Sequence, residues 1–365
     1  MKSLKINISS KNHAVYFDEH QLMEFLYTQK ELESLALRTI ICSSLVFAEN
    51  ENAEYEFKLK ELCLRNINYD ETADDDNLKD FLETQKESVE ILQLGNTFSK
   101  FSNAVYELIL NEFDQVKTLR IEVSVFPTEL SFYKRILPNR RVTKLIVHGM
   151  TEKNVQLCTI LNIFPNVTDI YFMSEIPSRV LSYLSTCCNA ITNLSLNSFS
   201  PGKYKKIIFP ALKKFHLENV GDETEWSDFV LANRTIETLS FGTTTRLAFY
   251  PDKSLRQRVR IVCELLPILR YLKLGYNMNV DLLYLQTIVE NCKRLKTIDV
   301  MGDPIDVALM PLRRGFKLHC HDISSIQCIF PNHEPVMLDD FKIYDNTEIF
   351  EKEYRYNDGD HKLPN

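Results

Sequence analysis

One short pattern of apolar residues recurs along this chain and constrains the fold more than any other feature. The pattern is an aliphatic residue, two variable residues, an aliphatic or aromatic residue, one variable residue and a further apolar residue. Its eleven copies are Leu32-Leu35-Leu37, Leu59-Leu62-Leu64, Val89-Leu92-Leu94, Val116-Leu119-Ile121, Val142-Leu145-Val147, Val167-Ile170-Phe172, Ile191-Leu194-Leu196, Leu212-Phe215-Leu217, Ile236-Leu239-Phe241, Leu269-Leu272-Leu274 and Leu295-Ile298-Val300. The central residues run from Leu35 to Ile298 in ten steps, so the mean period is 26.3 residues. A fixed period in this range indicates a chain built from stacked repeats.

Each copy alternates apolar and variable residues, as a strand with one buried face does. The segments between copies have helical spacing instead. Behind the capping residue Ser102, for example, one helical face carries Val105, Leu108, Ile109 and Phe113. Alternating strands and helices require parallel strands with right-handed crossovers, and the stack must curve because a helix is wider than a strand. The pattern is typical of the leucine-rich repeat, so we predict an α/β solenoid, a horseshoe with a parallel β-sheet on the concave face and mostly helices on the convex face.

Two repeats depart from the mean length. Leu194 and Phe215 are only 21 residues apart, and residues 200–206 carry no helical stripe. We therefore predict an extended convex segment there. The repeat that follows Leu239 is 33 residues long, and its extra residues, 243–253, should form an exposed loop.

The repeats should form one continuous unit, because stacked repeats share a single core however many there are. We predict a solenoid over residues 1–320 with about twelve repeats. Its first strand should lie near residues 1–8 and its last near 295–301, with a closing strand at 315–320. The periodicity fades after that, so residues 321–365 should form a C-terminal cap and a polar tail.

Charge and composition exclude several classes of partner. The formal net charge is −7, from 43 basic and 50 acidic residues, which gives no reason to expect nucleic acid. No apolar stretch reaches the roughly 18 residues of a membrane span, and the first residues lack the apolar block of a signal peptide. We expect a cytosolic or nuclear protein that binds no membrane. The nine cysteines fit a reducing compartment, and Cys187, Cys188 and Cys292 fall where a small buried side chain fits.

Several repeats carry Cys or Pro just before the strand, in residues 164–172, 187–196 and 291–300. Over residues 30–300 this style resembles the repeats of the F-box/LRR proteins, the substrate receptors of cullin-RING ubiquitin ligases. The resemblance implies a surface that grips a substrate protein. It does not extend to the F-box, the helical module that docks the ligase adaptor, because no such module precedes the repeats and the Leu-Pro pair in residues 265–269 lies inside one. An adaptor is therefore implied as a partner only if an F-box lies outside this chain.

The concave face is where we expect a protein partner. On each strand, the residues between and beside the apolar pair face outward. The candidate partner-binding residues are Arg38, Arg65, Arg120, Lys144, His148, Tyr171, His216, Tyr271 and Lys273. Asp169, Glu218 and Asp299 face the same way. Arg and Tyr often anchor interfaces, although a polar row is also what a solenoid face needs in order to meet water, with no ligand at all.

Metal binding and catalysis find little support. His319, Cys320 and His321, with Cys328 and His333, are zinc-capable, but alternation puts Cys320 on the opposite face of the strand from its neighbours. We interpret them as ordinary residues of a terminal strand and predict no metal and no cofactor. No phosphate-binding glycine loop or nucleophile elbow occurs, and an open arc of strands rarely supplies a dry cleft, so we predict no enzymatic activity.

The sequence thus predicts a non-catalytic protein-protein interaction module. Its leading interpretation is the substrate-recognition part of an F-box/LRR-like ubiquitin ligase receptor. The alternative is a stand-alone leucine-rich-repeat scaffold or inhibitor that is unconnected to ubiquitin. An adaptor captured by the protein would favour the first.

Overall fold

The computed structural model describes residues 1–7, 19–38, 47, 55–65, 76–95, 101–123, 126–149, 154–219, 225–242, 253–275, 280, 282–301 and 317–321. Within these ranges, thirteen strands occur. They are β1 Ser3–Asn7, β2 Ser34–Arg38, β3 Glu61–Arg65, β4 Ile91–Gly95, β5 Thr118–Glu122, β6 Lys144–His148, β7 Asp169–Phe172, β8 Asn193–Leu196, β9 Lys214–Leu217, β10 Thr238–Phe241, β11 Tyr271–Leu274, β12 Thr297–Met301 and β13 Lys317–His321.

The same ranges contain nine helices, which lie between successive strands. They are α1 Glu19–Tyr27, α2 Asp76–Gln85, α3 Asn103–Glu112, α4 Leu130–Tyr133, α5 Asn154–Asn162, α6 Ser178–Cys187, α7 Glu225–Ala232, α8 Lys253–Leu265 and α9 Leu282–Asn291. The longest, α8, has 13 residues. None of these described helices is long and apolar enough to cross a membrane.

The thirteen described strands form one sheet whose strand order is the order of the sequence. Every pairing is parallel, and the register places the repeated pattern in line, with Leu35 opposite Leu62 and Leu62 opposite Leu92. Parallel neighbours need a crossover on the same side each time, so the helices cover one face and leave the other open. The predicted α/β leucine-rich-repeat solenoid, with its sheet on the concave face, is confirmed.

The core is a continuous stack of the central residues of the repeated pattern. Each of these residues is 3% exposed or less, and the set is Leu35, Leu62, Leu92, Leu119, Leu145, Ile170, Leu194, Phe215, Leu239, Leu272 and Ile298. Residues of the helices close over them in the same cluster. Burying one such side chain stabilises the fold by about 1.5–3 kcal/mol relative to leaving it in water.

Helix α3 shows how a convex element is specified locally. The Ser102 side chain accepts a hydrogen bond from the Val105 backbone N–H at 3.4 Å, which satisfies one of the free donors at the helix start. Leu108, Ile109 and Phe113 are buried against the sheet as predicted. The capping residue and the apolar stripe together therefore fix where the helix starts and which face packs.

The short repeat between β8 and β9 has no helix, as predicted for residues 200–206. Two rings of this segment, Phe199 and Tyr204, pack against each other, and Phe199 also packs against Phe229 of the next helix. Phe199 lies 4.7 Å from Tyr204 and 5.6 Å from Phe229, measured between ring centroids, and Phe215 lies 5.2 Å from Phe229. The Tyr204 hydroxyl donates to the Ser200 carbonyl at 2.7 Å. Large rings thus replace the apolar stripe that is missing from this repeat.

The extended segment also needs partners for its backbone, because it forms no internal helical hydrogen bonds. Asn233, which is 1% exposed at the end of α7, supplies them. Its Nδ2 donates to the Ile207 carbonyl at 2.9 Å, and its Oδ1 accepts from the Phe209 N–H at 2.7 Å. One buried amide therefore ties the helix-free repeat to the next one.

A ladder of alternating charge runs along the edge where the first strands begin. Lys2 Nζ and Lys60 Nζ lie 3.5 and 3.2 Å from Glu33, and Lys117 Nζ lies 2.7 Å from Glu90. The hydrogen bond from Lys60, then the charge of Lys2, lowers the pKa of Glu33, and Lys117 does the same for Glu90. Opposite charges in successive repeats favour the observed register.

Some predictions about local features are not confirmed: one is wrong, and others concern residues outside the described set. Cys188 and Cys292 are buried as expected, but Cys187 is exposed, so its predicted burial is wrong. Cys187 ends α6 one residue before the position that packs inward, and a helix turns through about 100° per residue. Residues 243–252 of the predicted loop and residues 322–365 of the predicted cap and tail lie outside the described residues.

Candidate functional site

Three residues of each repeat point to the concave surface, and the strand register aligns them in three rows. The first row includes Lys144, Asp169, Asn193, Lys214 and Tyr271. The middle row, two residues later, includes Arg120, Tyr171, Ser195, His216, Ser240, Lys273, Asp299 and His319. The third row, two residues later again, includes Arg38, Arg65, Gly95, Glu122, His148 and Glu218. Neighbouring members of a row lie on strands about 4.8 Å apart, so side chains in one row can meet.

All nine candidate residues lie on strands of this one sheet. Arg65 and Arg120 are buried, at 6% and 3% exposure, and so offer little surface to a partner. Lys144, His148, Tyr171, His216, Tyr271 and Lys273 are half-buried. Arg38 ends β2, and its side chain is outside the described set. The accessible candidates whose side chains are described therefore lie on β6 to β11.

Glu122 occupies a space that two glycines leave open. A Cβ atom on Gly149 would lie 2.9 Å from Glu122 Cγ, and one on Gly95 would lie 3.4 Å from Glu122 Cβ. Gly149 also has a φ of 69°, which favours glycine. Glu122 Oε2 lies 3.4 Å from His148 Nδ1. The glycines on either side let this buried carboxylate lie along the sheet beside His148.

Tyr171 and Glu218 form a contact that spans three strands. The Tyr171 hydroxyl donates to Glu218 Oε2 at 3.0 Å, passing over β8, where the middle row holds only Ser195. Burial raises the pKa of Glu218, and the hydrogen bond from Tyr171 opposes that shift. The charged form of this carboxylate is therefore held in surroundings that disfavour it.

His216 and Lys273 lie two strands apart in the middle row, with Ser240 between them. His216 Nδ1 lies 2.9 Å from Ser240 Oγ. Burial, and then the charge of Lys273, lowers the pKa of His216 to about 3, so the imidazole is neutral near pH 7. Burial also lowers the pKa of Lys273, against the attraction of Asp299.

Asp299 connects the last strands. Its Oδ2 accepts a hydrogen bond from the Tyr271 hydroxyl, and its Oδ1 lies 3.6 Å from His319 Nδ1. Its charge also raises the pKa of Lys273, although burial of that lysine outweighs the effect. Three side chains on the two neighbouring strands, those of Tyr271, Lys273 and His319, thus interact with one carboxylate.

Lys144 and Asp169 are opposite each other in the first row. Asp169 accepts hydrogen bonds from the Thr168 hydroxyl at 2.6 Å and from Asn193 Nδ2. Burial lowers the pKa of Lys144, and attraction to Asp169 only partly offsets this. Asp169 is therefore mainly engaged by neutral donors, and Lys144 faces the concave space.

Sequence reasoning named the outward residues but missed three that shape the surface. Glu122, Asn193 and Ser240 each contact a candidate residue or its neighbour. Their places in the repeated pattern carried the signal, since they stand in the same rows as the residues that were named. What the surface offers chemically is ion pairing, hydrogen bonding and contact with tyrosine rings.

The structure gives no support for a metal centre in the part of the chain that it describes. There, no three His, Cys, Asp or Glu side chains are placed so that they could hold an ion. His319 and His321 are both on β13, while Cys328 and His333 lie beyond the described residues.

Comparisons with known proteins add the following. No family model matches the sequence, and no curated protein matches it. Among solved structures, the leucine-rich repeat-containing protein LegL7 from Legionella pneumophila is similar with a TM-score of 0.47 and 16% identity, over 66% of this chain and 86% of that one. A structure of the Rad7 and Elc1 complex in yeast is similar with a TM-score of 0.43 and 15% identity, over 82% and 83%. The class of protein, a leucine-rich-repeat solenoid, is defined by the sheet itself.

Proposed function

We propose that this protein binds another protein on its concave face, chiefly across β6 to β11, and that it has no catalytic role. The observation that carries the proposal is the linked set of half-buried polar side chains there, of which Tyr171 with Glu218 is the clearest pair. Side chains already held by their neighbours lose little freedom on binding. Tyrosine is also among the residues most often found at the energetic centre of an interface.

The electrostatics of the face support the same proposal. Burial disfavours the charged forms of Lys144 on β6, Lys273 on β11 and Glu218, which directly follows β9. Groups that cost stability in this way are common at functional sites, because binding favours what folding alone does not. A structural role in the core does not explain them, since all three stand on the open side of the sheet.

Within this role, we propose that the chain is the recognition part of an F-box/LRR-like ubiquitin ligase receptor acting in the cytosol or nucleus. This finer assignment rests on the style of the repeats in residues 30–300, with Cys or Pro before the strand. A solenoid with rigidly spaced concave side chains is well suited to select one substrate surface.

The test is affinity purification of the tagged full-length chain and two variants. Tyr171→Ala combined with Tyr271→Ala removes the two tyrosine rings among the described concave residues, and Tyr183→Ala, on the convex helix α6, is the matched control. We expect specific partners to be lost at least tenfold from the concave variant and retained by the control, with both variants folded by circular dichroism. Equal recovery from all three proteins would contradict binding at this face.

The same eluates test the finer assignment when they are probed for the ligase adaptor. Adaptor recovered with the wild-type chain supports the receptor role. Partners recovered without adaptor would refute the link to ubiquitin and leave the stand-alone scaffold as the function, with concave binding unaffected.

A further inference from the structure

Two opposite charges on the concave face, Lys144 and Glu218, form no ion pair with any described residue, although Asp169 attracts Lys144 from the next strand. Among the described residues, no carboxylate oxygen lies within 4.0 Å of Lys144 Nζ, and no cationic nitrogen lies within 4.0 Å of the Glu218 carboxylate. Asp169 is bonded to Thr168 and Asn193, and Glu218 accepts a hydrogen bond from the neutral Tyr171. Both charged groups are half-buried.

Such groups favour a partner of opposite charge. Folding has already removed part of the water around Lys144 and Glu218, so binding a partner adds little to their desolvation cost. The attraction between each group and a partner's opposite charge would also act through a medium of lower dielectric than water. Once such a charge pair has formed across an interface, removing either charge weakens binding strongly. Lys144 thus selects a carboxylate, and Glu218 selects a cation.

The register fixes how far apart these two charges must be. Lys144 is opposite Asp169, Asn193 and Lys214 in turn, so β9 is three strands away, and Glu218 lies four residues beyond Lys214. Three strand spacings are about 14 Å and four residues along a strand are about 13 Å, so the diagonal is about 20 Å. An extended chain advances about 3.3 Å per residue and covers this in about six residues.

The surface along the diagonal suits an extended segment. The path from Lys144 to Glu218 crosses Tyr171 on β7 and Ser195 on β8, whose hydroxyl has no hydrogen-bond partner among the described residues. An extended peptide has free backbone N–H and C=O groups that can pair with polar side chains of this face, whereas a helix uses its own internally. The Tyr171 ring offers a face for an apolar residue between the two charges.

We propose that the protein recognises an extended peptide segment that crosses β6 to β9 diagonally and carries an acidic and a basic side chain about six residues apart, the acid on Lys144 and the base on Glu218. The proposal rests on the proposed concave-face function and specifies the chemistry of its partner. It accounts for a lysine and a glutamate held where folding disfavours their charges.

The experiment selects peptides from a random phage-displayed library on the full-length protein and on variants. The variants are Lys144→Glu, Glu218→Lys and the double exchange of both, and Lys206→Glu, exposed on the convex side, is the control. Wild-type selection should enrich Asp or Glu paired with Lys or Arg five to seven residues away. These peptides should bind at least tenfold more weakly to each single variant and unchanged to the control.

The double exchange keeps the net charge and should select peptides with the two charges interchanged in position. If either single variant fails to fold in thermal melts, this double variant and Lys144→Gln carry the comparison. The charge-pair inference would be overturned, and concave-face binding left standing, by either of two results. One is that the selected peptides lack the charge pair, and the other is that they bind Lys144→Glu as tightly as wild type but bind Tyr171→Ala more weakly. Peptides insensitive to every concave change, or no enrichment at all, would count against the proposed function as well.

Discussion

The hydroxyl of Tyr171 lies 3.0 Å from the carboxylate of Glu218, although β8 separates β7, which carries Tyr171, from β9, which Glu218 directly follows. The contact joins residues 47 positions apart in the sequence. Tyr171 supplies a neutral hydrogen-bond donor to Glu218, a carboxylate whose pKa is raised by burial. The pair therefore links the stability of the solenoid to pH through a single group.

Replacing Glu218 by Gln should stabilise the protein near neutral pH. The folded-state pKa of Glu218 lies above its usual 4.5, because burial favours the protonated form. The protonated carboxyl therefore contributes stability below pH 4.5, and this contribution is lost as pH rises through the folded-state pKa. The gain from Glu218→Gln should therefore be absent in acid and grow above pH 4.5. Urea denaturation across pH measures it, with the exposed Glu175→Gln as control. An advantage that is constant with pH would contradict the assignment.

Leu145→Ala should destabilise the stack far more than the adjacent Lys144→Ala. Leu145 is fully buried, and truncating a buried leucine costs about 2–5 kcal/mol, whereas removing a side chain from the open face costs about 0.5 kcal/mol or less. Chemical denaturation of the two variants compares inward and outward positions one residue apart. Equal losses would show that this strand is placed on the wrong face.

Asn233→Ala should loosen the helix-free repeat. It would leave the Phe209 N–H and the Ile207 carbonyl without their partner, at a cost of about 1–3 kcal/mol for each unsatisfied buried group. Amide hydrogen exchange should accelerate at Phe209, and the melting temperature should fall. Asn189→Ala, at an exposed position, should change neither, and similar behaviour of both variants would argue against the bridging role.

Glu33→Gln should weaken the protein slightly at neutral pH and not in strong acid. The folded-state pKa of Glu33 is lowered, so its contribution is present above the usual 4.5 and is lost as pH falls through the folded value. Salt should diminish the difference, because this carboxylate is at the surface. Thermal melts at low and high ionic strength measure it against Glu31→Gln, and a salt-independent loss would rule out the charge ladder.

The fold could be predicted from the sequence because its signal is repeated in every repeat. A period of 26.3 residues with Leu35, Leu145 or Ile298 at equivalent positions leaves few alternatives to a curved parallel sheet. The helix-free repeat was also predictable, since residues 200–206 lack a stripe. The pattern does not show which of two adjacent residues at a helix end faces the core. Cys187 was predicted to be buried and is exposed, whereas its neighbour Cys188 is buried.

The candidate site was predictable only in outline. The alternation of apolar and variable residues shows which side of the sheet Arg120 or Tyr171 faces. How far each side chain is exposed depends on the size of its neighbours in the same row. Glu122 fits beside His148 because Gly95 and Gly149 leave space, and that relation involves three separate repeats. Contacts such as these require the strand register, which one repeat alone does not contain.

The missing helix between β8 and β9 has a consequence for shape. A leucine-rich array bends because its outer layer is thicker than its inner one, so a repeat with an extended outer segment contributes a smaller turn. The inner surface should therefore curve less around Ser195 than beside a described repeat that has a full convex helix. A peptide bound at this point would meet a less curved surface and could contact it along its whole length.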